Sequence, residues 1–149
     1  MRTFNDYTIQ SNSQYQSRLE HFKGLTPFDF QKEAYNDCMN FFYNDHRQTG
    51  VAVLPTAWGK SLLCAWLALS LYDDGHKTLM VVPTLELLKQ NKEKLENYSD
   101  IEVGVYSGSL LKKESDKPLV IASINSLSEK HLDFKDFDHI IIDECHINN

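Results

Sequence analysis

The segment LPTAWGKS, Leu54 to Ser61, constrains this chain more than any other stretch because of what flanks it. Val51 to Leu54 is a short apolar run of the kind that forms a buried strand, and Lys60 to about Asp74 has helical character that stops at Gly75. A turn between a strand and a helix gathers backbone N–H groups at one point, where the helix dipole adds positive potential. Such a turn suits a phosphate. Lys60 would reach the outer phosphates, the Ser61 hydroxyl would ligate magnesium, and Gly59 lets the backbone approach where a Cβ would intrude. The plainer alternative is a helix cap with a solvated lysine; the strand before and helix after weigh against it.

The rest of the chain repeats the same alternation. Thr26 is placed as an N-cap, Pro27 at the first helical position and Asp29 as a capping acid, which predicts a helix to about Asp45 with Phe30, Ala34, Cys38 and Phe41 on one face. Thr78 to Val82 reads as a strand and Thr84 to about Tyr98 as a helix. Ile101 to Tyr106, Leu119 to Ala122 and His139 to Ile142 are further strands, with the polar loop SGSLLKKESDKP between the first two. Strands alternating with helices predict an α/β fold of three layers around a mainly parallel sheet. Residues 1–24, rich in Ser, Asn, Gln and Tyr, form an N-terminal extension, and the domain proper spans 25–149.

A second motif, HIIIDECH, closes the last of these runs with two adjacent acids. In an open parallel sheet, ligands bind beyond the carboxyl ends of the strands, so Asp143 and Glu144 would emerge on the side of the phosphate loop. An Asp there can hold magnesium, and a neighbouring Glu can activate water. Alone, such a run is a strand leaving the core. Together with the upstream loop it points to nucleotide chemistry.

Composition narrows the partners. Asp and Glu number 21 against 15 Lys and Arg, and the excess falls mostly after residue 83, so no global basic field exists to hold nucleic acid. Any such partner must be gripped locally. Three widely spaced cysteines, Cys38, Cys64 and Cys145, argue against a disulfide framework. No stretch approaches the ~20 apolar residues of a membrane span, and a soluble cytoplasmic protein without membrane attachment is expected.

PTAWGKS, then VVPTLELLKQ, then IIDECH about eighty residues after the first, in that order, resembles the first RecA-like domain of superfamily 2 helicases and translocases, the DEAD/DEAH-box relatives. The resemblance covers about Leu25 to Asn149 and implies a RecA-like P-loop NTPase domain. It implies ATP and Mg2+ as cofactors. Thr56, Ala57, Trp58, Gly59, Lys60 and Ser61 would surround the phosphates, Ser61 and Asp143 would serve the metal, and Glu144 would be the general base beside catalytic Lys60 and Asp143. His146 matches the residue that couples the nucleotide site to a second domain. PFDFQKEA resembles the adenine-reading segment, with Gln31 on the base edge and Phe28 or Phe30 near the ring, although each phenylalanine is also a core candidate. Thr84, Ser107 and Gly108, and Ser123 and Ser126 lie in segments that resemble those contacting a nucleic-acid backbone, DNA rather than RNA. Neutral donors of this kind would let an acidic protein bind phosphates. Where the family usually has Gly in the loop, this chain has Ala57, followed by bulky Trp58, placed as a loop-tip aromatic.

The family's motor closes two RecA-like domains over ATP, and the second domain supplies an arginine finger worth ~10³ to 10⁵ in turnover. The sequence stops just past DECH, so the expectation is a domain incomplete at its C-terminus, lacking a central strand, with slow hydrolysis at best and marginal stability. Three alternatives stand beside the helicase reading: a non-catalytic nucleotide or nucleic-acid-binding module or split-motor subunit, served by a separately encoded second domain; the motor of a restriction enzyme; and a small P-loop kinase. The kinase is disfavoured because Arg2, Arg18 and Arg47 are the only arginines and form no lid-like cluster.

Overall fold

The structure is a computed structural model that describes residues 26–45, 49–128 and 132–144. The N-terminal extension, Cys145 and His146 lie outside the described residues. The chain divides into two compact units, Met1–Leu67 and Ala68–Asn149.

In the first unit, α1 (Asp29–Asn44) starts two residues later than the capping signals predict. Its N-cap is Phe28, whose amide donates to Gln31 Oε1 (3.0 Å) while its carbonyl accepts from Gln31 N (2.9 Å) and Lys32 N (3.0 Å). Gln31 thus supplies the reaching-back half of a capping box, which outweighs Thr26 and Pro27. The buried stripe is Gln31, Ala34, Tyr35 and Met39, rotated by about one residue from the expected face. Phe28 and Phe30, core candidates in sequence, are 65% and 44% exposed. Beside the stripe, burial pushes the Cys38 thiol up to about 12, with Asp37 adding to the effect, so it stays protonated at neutral pH.

Val51–Leu54 forms no strand. Among the described residues it pairs with no neighbour, and Val51 and Val53 are exposed. A strand exists only through its ladder, so an apolar run without a partner does not become one. Helix α2 (Lys60–Asp73) begins in the first unit and ends in the second. Its end is as predicted: Gly75 takes a φ of +82°, Gly75 N donates to Tyr72 O (2.9 Å) and His76 N to Leu71 O (3.0 Å), the pattern of a Schellman stop.

The second unit carries the sheet. Its strands are β1 (Thr78–Val82), β2 (Gly104–Ser107), β3 (Lys112–Lys113), β4 (Leu119–Ser123) and β5 (His139–Ile142), in the order β3-β2-β4-β1-β5. All neighbours are parallel except β3, which folds back antiparallel on β2. The sequence missed β3, a two-residue exposed pair inside the polar loop. Both β1 and β4 are buried along their whole length, as strands covered on both faces must be. Helix α3 (Leu85–Tyr98) packs on β1 and β4, with Leu88, Asn91 and Leu95 buried. One core cluster gathers Leu79 and Val81 of β1, Tyr106 of β2, Val120 and Ala122 of β4, and Phe137. The described residues include no helix long and apolar enough to cross a membrane.

At the amino end of the sheet, β5 is tied to β1 by more than its ladder. Asp138 N donates to Lys77 O (2.8 Å), and Lys77 N returns a bond to Asp138 Oδ2 (2.8 Å). The His76 and His139 rings meet edge to face at 4.9 Å, and His76 Nδ1 lies 3.9 Å from the same Asp138 oxygen. Among the described residues β5 is the last strand of the sheet on that side, and Ile140 and Ile142 are exposed.

Candidate functional site

In the first unit, the predicted phosphate loop is an open turn that leads straight into α2. Gly59 O accepts from Leu62 N (3.0 Å) and Leu63 N (3.0 Å), which starts the helix and sets Lys60 and Ser61 at its first two positions. Those are the positions where the helix dipole is most positive. Gly59 has a φ of +89°, and a Cβ built on it would sit 2.7 Å from Gln31 Nε2. The positive φ favours glycine, and any Cβ there would displace the Gln31 amide. Ala57, two residues earlier, also adopts the left-handed region, with a φ of +62°.

Gln31 joins α1 to this loop. Its Nε2 donates to Trp58 O (3.1 Å) while its Oε1 accepts from Phe28 N, and the side chain is nearly buried. A primary amide keeps a second N–H and a second lone pair, the donor and acceptor that an adenine edge requires. Above it Phe28 stacks on Phe30 at 5.4 Å, and Phe30 meets Trp58 at 4.8 Å with the planes inclined by 50°. Gln31, Phe28, Trp58 and Gly59 are therefore gathered in one place, although they come from segments 27 positions apart. The half-buried Trp58 is packed on a neighbour, where the sequence suggested a bare loop tip.

In the second unit, the other candidates sit at the carboxyl ends of the strands. β1 lies between β4 and β5 and parallel to both, so the carboxyl ends of all three strands lie on the same side, where open α/β sheets bind ligands. Thr84 follows β1 and caps α3, its Oγ1 accepting from Leu87 N (3.2 Å). Asp143 follows β5, its amide donating to Val81 O (2.9 Å), and its side chain is almost buried. Glu144 comes next, exposed and at a φ of +57°.

Ser107, Gly108, Ser123 and Ser126 form a continuous group at the ends of β2 and β4. Ser123 and Ser126 share a hydroxyl–hydroxyl bond of 2.7 Å, and Gly108 N donates to Ser126 Oγ (3.2 Å). Both serines are nearly buried and Ser107 is fully so. Ser126 thereby ties the loop after β2 to the turn after β4. Among the described residues no cluster of three or more His, Cys, Asp or Glu could hold a metal by itself. Magnesium needs none, since one or two protein oxygens together with nucleotide phosphates and water complete its shell. The Phe30–Trp58 contact is the feature that sequence reasoning missed; its signal was the aromatic inserted beside Gly59.

Residues 24–149 match the family model described as "Type III restriction enzyme, res subunit". The chain is 35% identical, over 142 aligned residues, to "Probable helicase A859L" of African swine fever virus (isolate Tick/South Africa/Pretoriuskop Pr4/1996), covering 78% of this chain and 16% of that protein. It is 29% identical, over 119 aligned residues, to "DNA 3'-5' translocase XPB2" of Sulfurisphaera tokodaii, covering 79% of this chain and 24% of the translocase. The chain thus spans about a sixth to a quarter of the length of these relatives. Among solved structures, the UvsW helicase from bacteriophage T4 shares the fold, with a TM-score of 0.67 at 22% identity, over 90% of this chain and 51% of that one. Matched over most of its length and folded as a RecA-like domain, the chain belongs to the ResIII family of superfamily 2 helicases and translocases.

Proposed function

We propose that this chain is the ATP-binding part of a superfamily 2 motor that couples Mg-ATP hydrolysis to the remodelling of DNA. The observation that carries the reading is the loop at the start of α2. There Gly59 adopts a φ of +89° that favours glycine, and Gln31 is tied to the same loop at Trp58. In this reading Lys60 binds the β- and γ-phosphates, Thr56 to Gly59 wrap them, and Gln31 with Phe28 faces the base. Ser61 and Asp143 offer the hard oxygens that magnesium prefers, and the metal would neutralise charge on the phosphates. Glu144 orients and deprotonates the attacking water. Thr84, Ser107, Gly108, Ser123 and Ser126 form the nucleic-acid side, and His146 couples the two.

The translocase name carried by the Sulfurisphaera relative supports DNA over RNA. The family match starting at residue 24 supports reading 1–24 as an extension and 25–149 as part of the first motor domain. A second RecA-like domain, in the same or a separate chain, would complete the motor, and the greater length of the relatives supports it. The family description favours the motor of a restriction enzyme as the specific setting.

The test is Glu144→Gln in the chain supplied with a second RecA-like domain. ATP should still bind while DNA-stimulated phosphate release disappears. Undiminished release in that variant would remove Glu144 from the role of base.

A further inference from the structure

Ala57 stands in a conformation that alanine does not favour, and nothing in its own side chain holds it there. At a φ of +62° its Cβ crowds the following carbonyl, and an unsupported loop would relax to negative φ. The next residue is gripped twice. Trp58 O accepts from Gln31 Nε2 (3.1 Å), and the Trp58 ring rests on Phe30 (4.8 Å), itself stacked on Phe28. Gln31, Phe30 and Phe28 belong to the start of α1, so the grip comes from a regular element capped by the same glutamine.

We propose that Trp58 is a positioning residue: with its ring on Phe30 and its carbonyl on Gln31, it holds the phosphate loop in the left-handed turn at Ala57, so that the loop is formed before nucleotide arrives. The inference rests on the reading of this loop as a phosphate site and adds a device to it. A glycine at 57 would reach the turn unaided. With alanine there, the aromatic neighbour supplies what the glycine would have supplied, and the base end and phosphate end of the site move together.

A double substitution separates this from direct stacking of Trp58 on the base. The full chain and its Trp58→Ala, Trp58→Phe and Ala57→Gly/Trp58→Ala variants are titrated calorimetrically with Mg-ATP and with inorganic tripolyphosphate, which has no base. Trp58→Ala should weaken both ligands by about tenfold, matching the strain of one left-handed alanine. Trp58→Phe should recover most of the loss, and adding Ala57→Gly to Trp58→Ala should recover it as well. Equal binding by wild type and Trp58→Ala would overturn the proposal, as would a loss confined to Mg-ATP that Ala57→Gly does not repair. Backbone chemical shifts of Ala57 without ligand give an independent readout. The left-handed signature should be present in wild type and lost in Trp58→Ala, and its persistence in that variant would overturn the proposal. If wild type binds neither ligand, the nucleotide reading itself fails, and the Ala57 shifts still decide whether Trp58 holds the turn.

Discussion

The side-chain amide of Gln31 donates to the backbone carbonyl of Trp58 at 3.1 Å and closes a link between the start of α1 and the loop before α2. The same side chain accepts from Phe28 N at 3.0 Å, so one residue caps a helix and fixes a loop. Gln31→Glu keeps the acceptor and removes the donor. That variant should retain the α1 cap yet lose the loop contact, lowering stability by about 1 kcal/mol and weakening ATP binding. Gln31→Ala loses both bonds and should cost more. Thermal unfolding and nucleotide titration of the two variants check the order; a Gln31→Glu protein that matches wild type in both would contradict it.

Two positions in the loop should respond with opposite signs. Gly59→Ala forces a Cβ to within 2.7 Å of Gln31 Nε2 at a φ of +89°, and a loss of ~1 to 3 kcal/mol is expected. Ala57→Gly relieves a left-handed alanine and should stabilise by roughly 1 kcal/mol. Denaturant midpoints measure both changes, and a destabilising Ala57→Gly would show that alanine is unstrained there.

The histidine pair at the foot of the sheet makes stability depend on pH. Burial lowers the pKa of His139 below its ordinary value of 6.5; the adjacent His76 lowers it further, and Asp138 partly opposes them. The folded state therefore binds the proton less readily than the unfolded chain does. Above pH 6.5 both states hold His139 neutral and no penalty arises; as pH falls below 6.5 the unfolded state protonates first and folding weakens. The melting temperature should drop on acidification through that window, and His139→Gln should flatten this part of the profile. An unchanged slope in the variant would assign the effect elsewhere.

Ser126 joins Gly108 N to Ser123 across the ends of β2 and β4. Ser126→Ala leaves the nearly buried Ser123 hydroxyl without that partner and frees the loop after β2. A cost of about 1 to 2 kcal/mol is expected. Binding of single-stranded DNA, measured by fluorescence anisotropy, should weaken in parallel, and Ser126→Thr should retain more of it. Full DNA binding by Ser126→Ala would take this group out of the nucleic-acid surface.

The fold was legible where the signal is local. Thr78–Val82 and His139–Ile142 were bounded correctly because continuous apolar runs of that length have few other uses, and α2 was framed by the loop before it and Gly75 after it. Val51–Leu54 has the same texture but forms no strand, since pairing depends on a neighbour distant in sequence. Lys112–Lys113 pairs without any apolar pattern, because a hairpin edge needs only backbone groups. The site followed the same division. Motif order and spacing identified the loop and the acidic pair, whereas the left-handed turn at Ala57 and the ring of Trp58 on Phe30 arise from tertiary packing. No periodicity encodes them.

The central claim is that the loop before α2 binds nucleotide phosphates through Lys60. Calorimetric titration of the full chain with ATP, with and without Mg2+ and alongside Lys60→Ala, addresses it directly. Saturable binding that strengthens with magnesium and falls by at least about tenfold in Lys60→Ala is the predicted result, since a charge-assisted contact worth ~1.5 to 3 kcal/mol is removed. Equal binding by wild type and Lys60→Ala, or no binding by either, would contradict it.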